Sequence, residues 1–140
     1  MATAIAVLFP WNDTYSVKIA IIDIQHKKLI DIINELHQAM ATGKGRDQLG
    51  TILSGLVSYT QSHFKSEEGI LLSHQYPDFA NHKPEHERFV QTLLDFQRKF
   101  ENKELGVTIE VMGFLKDWLA KHIMGVDQKY APYLHSKGVR

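Results

Sequence analysis

Apolar residues recur at helical spacing along four separate stretches of this 140-residue chain, and no segment alternates with the period of two that a half-buried strand needs. The first stretch, about Lys18 to Met40, aligns Ile22, Leu29, Ile33, Leu36 and Met40 and ends at Gly43-Lys44-Gly45, where glycine suits a helix C-terminus. The second, about Arg46 to Ser73, aligns Leu49, Ile52, Leu56, Tyr59 and Ile70 before Tyr76-Pro77-Asp78 breaks it. The third, about Ala80 to Glu101, aligns Phe89, Leu93, Phe96 and Phe100, with Pro84 near its start, where a missing backbone donor costs least. The fourth, about Val107 to Met124, aligns Val111, Leu115 and Trp118. Gly125 marks an end or irregularity before a last segment over Asp127 to Tyr133. Amphipathic helices joined by such short connections pack most simply as an all-α, antiparallel, up-down-up-down four-helix bundle. The expectation is one domain over 1–140: an N-terminal arm over 1–17, a bundle over 18–127 and a short C-terminal segment over 128–140.

Composition narrows the function. Lys+Arg and Asp+Glu both number 16, so no net charge draws the chain to nucleic acid or to an anionic membrane. Cys is absent, and the apolar run Ile5 to Phe9 is short and follows no basic residue. A cytoplasmic protein with neither nucleic-acid nor membrane partner is expected. The chain does, however, carry 8 His, and imidazole is the commonest side-chain ligand of transition metals.

Their placement is decisive. Following each apolar line to its polar members puts His26 on the first helix, His63 and Glu67 one turn apart on the second, His82 and His86 one turn apart on the third, and His122 on the fourth, with Asp127 five residues further on. A single His on an apolar stripe is more often a core residue satisfied by a neighbour, and a single pair at i, i+4 is often a surface pair. Taken together they defeat that explanation. Burying five imidazoles and two carboxylates uncompensated would cost more than the roughly 5–15 kcal/mol by which such a domain is stable. A metal centre supplies the missing partners, and its binding energy adds to folding.

Seven ligands are too many for one tetrahedral zinc, the lack of Cys removes thiolate and iron–sulfur sites, and an imidazole-rich set is too soft for calcium or magnesium. His86-Glu87 opens like a zinc-protease motif, but the second His would fall at Val90. Two redox metals sharing bridging carboxylates, with iron as the metal, fit best.

The chain resembles the hemerythrins, and bacterial hemerythrins in particular. The resemblance is carried by Trp11-Asn12-Asp13, by Asp23-Ile24-Gln25-His26-Lys27-Lys28-Leu29, by His63-Phe64 with Glu67-Glu68, by Tyr76-Pro77, by His82, His86 and Phe89, and by His122-Ile123, Asp127 and Tyr130. Ile24 and Leu71 stand where the family commonly has a polar residue and Met, which touches no ligand. The resemblance implies two irons (Fe2+/Fe3+) with a bridging oxo or hydroxo group, bridged also by Glu67 and Asp127. His82, His86 and His122 would complete one iron and His26 and His63 the other. These donors fill all but one position of two octahedral irons, and the vacancy falls on the iron held by His26 and His63. There the family implies reversible binding of dioxygen, held as hydroperoxide, for storage, transport or sensing.

Such a pocket needs apolar walls, for which Leu119, Trp118, Ile22 and Phe64 are the candidates, with ordinary core packing as the alternative for each. Tyr130, three residues after Asp127, is a candidate hydrogen-bond donor to the ligands, or simple packing. His37, His74 and His135 take no part. Carboxylate-rich diiron bundles with Glu-x-x-His favour oxygen activation; this chain has no such motif on a stripe, and five neutral imidazoles argue for binding oxygen over cleaving it. Two alternatives stand beside that reading: a diiron enzyme with peroxidase or nitric-oxide-handling activity, and a redox-sensing module in which the Trp11 arm or the C-terminal segment moves.

Overall fold

The computed structural model describes Trp11 and residues 13–140, with the backbone alone at Ala120; residues 1–10 and 12 of the expected arm lie outside the described residues. Four long helical segments run up and down: α1 (Ala20–Ala41), α2 (Gly45–Ser73), α3 (Phe79–Glu101) and α4 (Val107–Trp118), the last continuing as a π-helical segment over Leu119–Val126. A 3-10 turn at Asp127–Lys129 and the short α5 (Ala131–Ser136) complete the chain, and no strand occurs among the described residues. The fold is an all-α four-helix bundle, with a described stretch of N-terminal arm and a C-terminal segment laid against it.

Each connection is set by a left-handed residue that closes the preceding helix. At Gly43 (φ 76) the Lys44 N–H reaches the Ala39 carbonyl at 2.7 Å, and glycine accepts this conformation without a Cβ penalty. The same closure recurs at Gln75 (φ 56), with Tyr76 N–H on Leu71, and at Lys103 (φ 58), with Glu104 N–H on Lys99. Those two residues carry a Cβ in a conformation that disfavours one.

The interior is layered. One apolar cluster joins Ile33 and Leu36 of α1, Leu49, Leu53 and Leu56 of α2, Phe89 and Leu93 of α3, and Val107, Val111 and Leu115 of α4. A second, at the opposite end, joins Val17, Ile19 and Ile22 to Leu71, Tyr130 and Leu134. Between them lies a polar layer to which every long helix contributes. Apolar burial on both sides holds the helices together, so the polar layer need not supply that cohesion itself.

Three expectations are corrected. Regular α-helix ends at Trp118 rather than near Met124, because the backbone widens into the π segment. Pro84 is the sixth residue of α3, beyond the first turn, so the Ala80 carbonyl lacks its usual i+4 donor; Ala80 is exposed and water can serve it. On α2 the buried line passes through Thr60 and Leu71, whereas Tyr59 and Ile70 are half-buried. The Thr60 hydroxyl is satisfied by the Leu56 carbonyl at 2.7 Å.

The arm is tied down near the polar layer. Asp23 accepts the Ser16 hydroxyl at 2.5 Å and the Val17 N–H at 2.9 Å. The Gln128 amide donates to the carbonyls of Thr14 (3.4 Å) and Ser16 (3.1 Å). Trp11 packs beside Tyr15, with the Lys27 ammonium 5.1 Å from its ring.

Candidate metal centre

All seven side chains singled out from the sequence meet in the polar layer, each 3% exposed or less. Helical spacing explains most of the convergence. His63 and Glu67, and His82 and His86, stand one turn apart on α2 and α3 and so share a face. His122 lies in the π segment and Asp127 just beyond it.

The two carboxylates divide the cluster. Glu67 turns Oε1 towards His82 Nε2 (2.8 Å) and His86 Nε2 (3.1 Å), and Oε2 towards His26 Nε2 and His63 Nε2, both at 3.4 Å. Asp127 does likewise, with Oδ1 near His122 Nε2 (3.1 Å) and His82 Nε2 (3.4 Å), and Oδ2 near His26 Nε2 (3.2 Å). Two subsites result. One is formed by His82, His86 and His122, the other by His26 and His63, and each carboxylate presents one oxygen to each. Groups able to hold a metal ion follow the same division: Glu67, His82, His86, His122 and Asp127 in one, His26, His63 and Glu67 in the other.

The donors fit a metal better than they fit each other. Nε2 of His26, His63, His86 and His122 and both oxygens of Asp127 are buried without a properly aligned hydrogen bond, although oppositely charged atoms lie within 3.1–3.4 Å. Unsatisfied buried polar atoms cost about 1–3 kcal/mol each, so so many in one place need a shared partner. Imidazole nitrogens and carboxylate oxygens suit iron, and the arrangement supports a metal centre of that kind.

Electrostatics agree. Burial disfavours the His26 imidazolium, but contacts with Asp127 and Glu67 outweigh it and raise the pKa to about 9 in the metal-free chain. His122 is raised for the same reasons, burial opposing and Asp127 prevailing. Burial would raise Glu67, yet His26, His63, His82 and His86 hold it well below the usual carboxylate range; Asp127 is lowered against burial and against Glu67 by His122 and His26. The carboxylates are therefore ready ligands, whereas His26 must lose a proton to become one.

Around the donors, the Tyr130 hydroxyl, fully buried, donates to Glu67 Oε2 at 3.0 Å, and burial together with the Glu67 charge holds that phenol well above its ordinary pKa. Of the expected wall residues, Leu119 packs with Ile30 and Ile123, and Ile22 with Leu71 and Tyr130. Ile22 and Ile30 thus bracket His26 one turn to either side. The Phe64 ring stacks on His86 at 3.8 Å and lies 5.6 Å from His63. Trp118 stacks on His122 at 4.8 Å, on the three-imidazole side, beside a cleft of about 340 Å³ between α3 and α4. His74 closes α2 through Nδ1 and the Ile70 carbonyl (2.8 Å), and His135 reaches the Lys18 carbonyl (3.2 Å); neither joins the cluster.

Sequence reasoning assigned no role to Gln25, Glu68 or Glu85, which receive the rear nitrogens of His63 (2.6 Å), His86 (2.8 Å) and His122 (3.1 Å). The usable signal was general: a metal-binding imidazole needs an acceptor for its other N–H, and polar residues beside ligand positions are the natural source.

The family model described as "Hemerythrin HHE cation binding domain" matches residues 17–134. The chain is 40% identical over 128 residues to the bacteriohemerythrin of Methylococcus capsulatus, spanning 91% of this chain and 97% of that one. It is 36% identical over 124 residues to the bacteriohemerythrin of Stenotrophomonas maltophilia, spanning 89% and 80%. A hemerythrin-like protein of Naegleria gruberi is 33% identical over 130 residues, spanning 93% and 97%. Crystal structures of a hemerythrin share the fold: a leucine-to-tyrosine mutant has a TM-score of 0.81 at 38% identity, covering 91% of this chain and 97% of that chain. The wild type has 0.80 at 39%, covering 89% and 96%. With the family model spanning most of the chain and relatives of this identity spanning nearly all of it, the chain belongs to the hemerythrin family.

Proposed function

We propose that this protein binds dioxygen reversibly at a diiron centre, with Glu67 and Asp127 bridging, His82, His86 and His122 completing one iron, and His26 and His63 holding the other, where a position stays open. The observation that carries this reading is the division of Glu67 and Asp127 between two subsites, one oxygen to each. Two irons held by these residues would each supply reversible one-electron chemistry to the bound gas.

The chain's own residues govern reversibility. Leu119, Ile30 and Ile22 form an apolar surround on the His26 side and keep water and stray protons from the bound gas, while Phe64, stacked on His86 and 5.6 Å from His63, lies between the two subsites. Trp118 shields His122 instead. The Tyr130 hydroxyl fixes the Glu67 oxygen that faces His26 and His63. Imidazoles outnumber carboxylates five to two, which leaves the centre less electron-rich than a carboxylate-dominated one and favours holding oxygen over cleaving it. The reading places the protein in the cytoplasm, with dioxygen as its partner; no helix among the described residues is long and apolar enough to cross a membrane.

The test is reconstitution with ferrous iron without air, followed by a visible spectrum on adding oxygen and again on purging it. A band that appears with oxygen and disappears on purging is expected. Irreversible oxidation with steady turnover of peroxide or nitric oxide would transfer the assignment to an enzyme.

A further inference from the structure

The five imidazoles are not supported equally from behind. In the three-imidazole subsite, His86 Nδ1 lies 2.8 Å from Glu68 Oε2 and His122 Nδ1 lies 3.1 Å from Glu85 Oε2, so both rest on carboxylates. In the other subsite, His63 Nδ1 lies 2.6 Å from Gln25 Oε1, and His26 Nδ1 is buried without a partner. The Gln25 amide nitrogen donates to Ser66 Oγ at 3.2 Å, which assigns the oxygen, a neutral acceptor, to His63. With Nε2 turned to the centre, Nδ1 carries the proton. An N–H donated to a carboxylate leaves the opposite nitrogen a stronger ligand than one donated to an amide.

We propose that Glu68 and Glu85 make the His82–His86–His122 subsite the tighter metal site and that Gln25 keeps the His26–His63 subsite the weaker, so that metal ions enter in that order and leave in reverse. This rests on the two-ion reading above. The two carboxylates differ in strength. Glu68 is 21% exposed, whereas Glu85 is 33% exposed, borders the cleft between α3 and α4, and has the Arg88 guanidinium 3.9 Å from its other oxygen. Solvent and Arg88 screen Glu85, so Glu68 has the larger effect. The ordering also serves the open position: the ion expected to meet oxygen has the less electron-rich imidazoles, which restrains it from giving up its electrons irreversibly.

Charge can be separated from mere orientation of the rings, because glutamine keeps an oxygen to accept the N–H but removes the charge. The metal-free full chain is titrated anaerobically with cobalt(II), followed by calorimetry and visible absorption, with circular dichroism confirming that each variant is helical. Two steps of one ion each are expected. Glu68→Gln weakens the first by about tenfold, at the lower end of the roughly 10- to 100-fold seen for such partners, and Glu85→Gln weakens it by less. The second step stays in place for both. Gln25→Glu does the converse: it strengthens the second step, leaves the first unchanged and narrows the gap. Equal shifts of both steps in Glu68→Gln, or an unmoved second step in Gln25→Glu, would overturn the proposal. A wild-type chain that saturates at one ion or none would instead overturn the two-ion reading on which it rests.

Discussion

The backbone N–H of Asp127 donates to the carbonyl of His122, five residues earlier, so one π-type hydrogen bond joins two residues that face the same centre. An α-helix turns about 100° per residue, which would set residues five apart roughly 140° from each other. Bonding from i to i+5 brings them onto one face, and π segments of this kind are frequent at functional sites. Asp127 reaches both subsites only because the helix is widened here.

Inserting one alanine after Met124, which is 40% exposed, sets Asp127 six residues from His122, roughly 120° away in α register, and is therefore expected to swing it out of the cluster. Metal per chain, measured by elemental analysis, should fall by at least half while helicity by circular dichroism is kept. Gly125→Ala is the control, since a Cβ there meets open space and the backbone angle is ordinary; it should keep full metal content. Full metal content in the insertion variant would contradict the register that the π segment gives Asp127.

Metal uptake should depend on pH through His26. In the metal-free chain this imidazole binds its proton up to about pH 9, against 6.5 for an unperturbed one. The folded state then holds more protons than the unfolded state between those values, so the His26 contribution to stability is full below 6.5 and is lost as pH rises through 9. Metal competes with the same proton, so affinity should rise across that window by about tenfold per pH unit for the His26 proton, and more steeply where His122, also raised, is still protonated. Calorimetric titrations at several pH values test this, and an affinity that falls with rising pH would refute it.

Tyr130→Phe removes the donor to Glu67 Oε2 and leaves that buried oxygen short of a partner, at a cost of about 1–3 kcal/mol. Thermal unfolding should show the loss in both metal-free and loaded protein, without loss of metal stoichiometry. An unchanged midpoint would mean that the Tyr130 hydroxyl contributes packing alone.

The bundle was legible because four apolar lines at helical spacing leave little else to build, and the His and Glu members of those lines could be read as inward-facing for the same reason. Asp127 stands among the candidates although five residues from His122 is the wrong face of an α-helix; the spacing gave no reason for it to face the site, and its bridging role came from the family resemblance alone. On the 29-residue α2 the expected line drifted from Thr60 and Leu71 to Tyr59 and Ile70, because 3.6 residues per turn is not a whole number and the error accumulates with length. Gln25, Glu68 and Glu85 escaped because their partners come from other helices, and cross-helix pairing has no signature in a single chain's spacing.

Lys103 marks a place where local preference yields to the fold. It is exposed, with φ 58, at the closure of α3, and Lys103→Gly should relieve the Cβ penalty. A gain of about 0.5–1 kcal/mol is expected, reduced by the greater freedom glycine has when unfolded. Denaturant melting of the metal-free protein measures it, and a loss of stability would show that the lysine side chain does more there than tolerate the turn.

Diffraction from crystals of the iron-loaded protein, recorded on either side of the iron absorption edge, tests the central claim most directly. The account predicts two anomalous peaks, one among His82, His86 and His122 and one beside His26 and His63, with Glu67 and Asp127 each touching both. A single peak, or ions that leave either carboxylate on one metal alone, would contradict it.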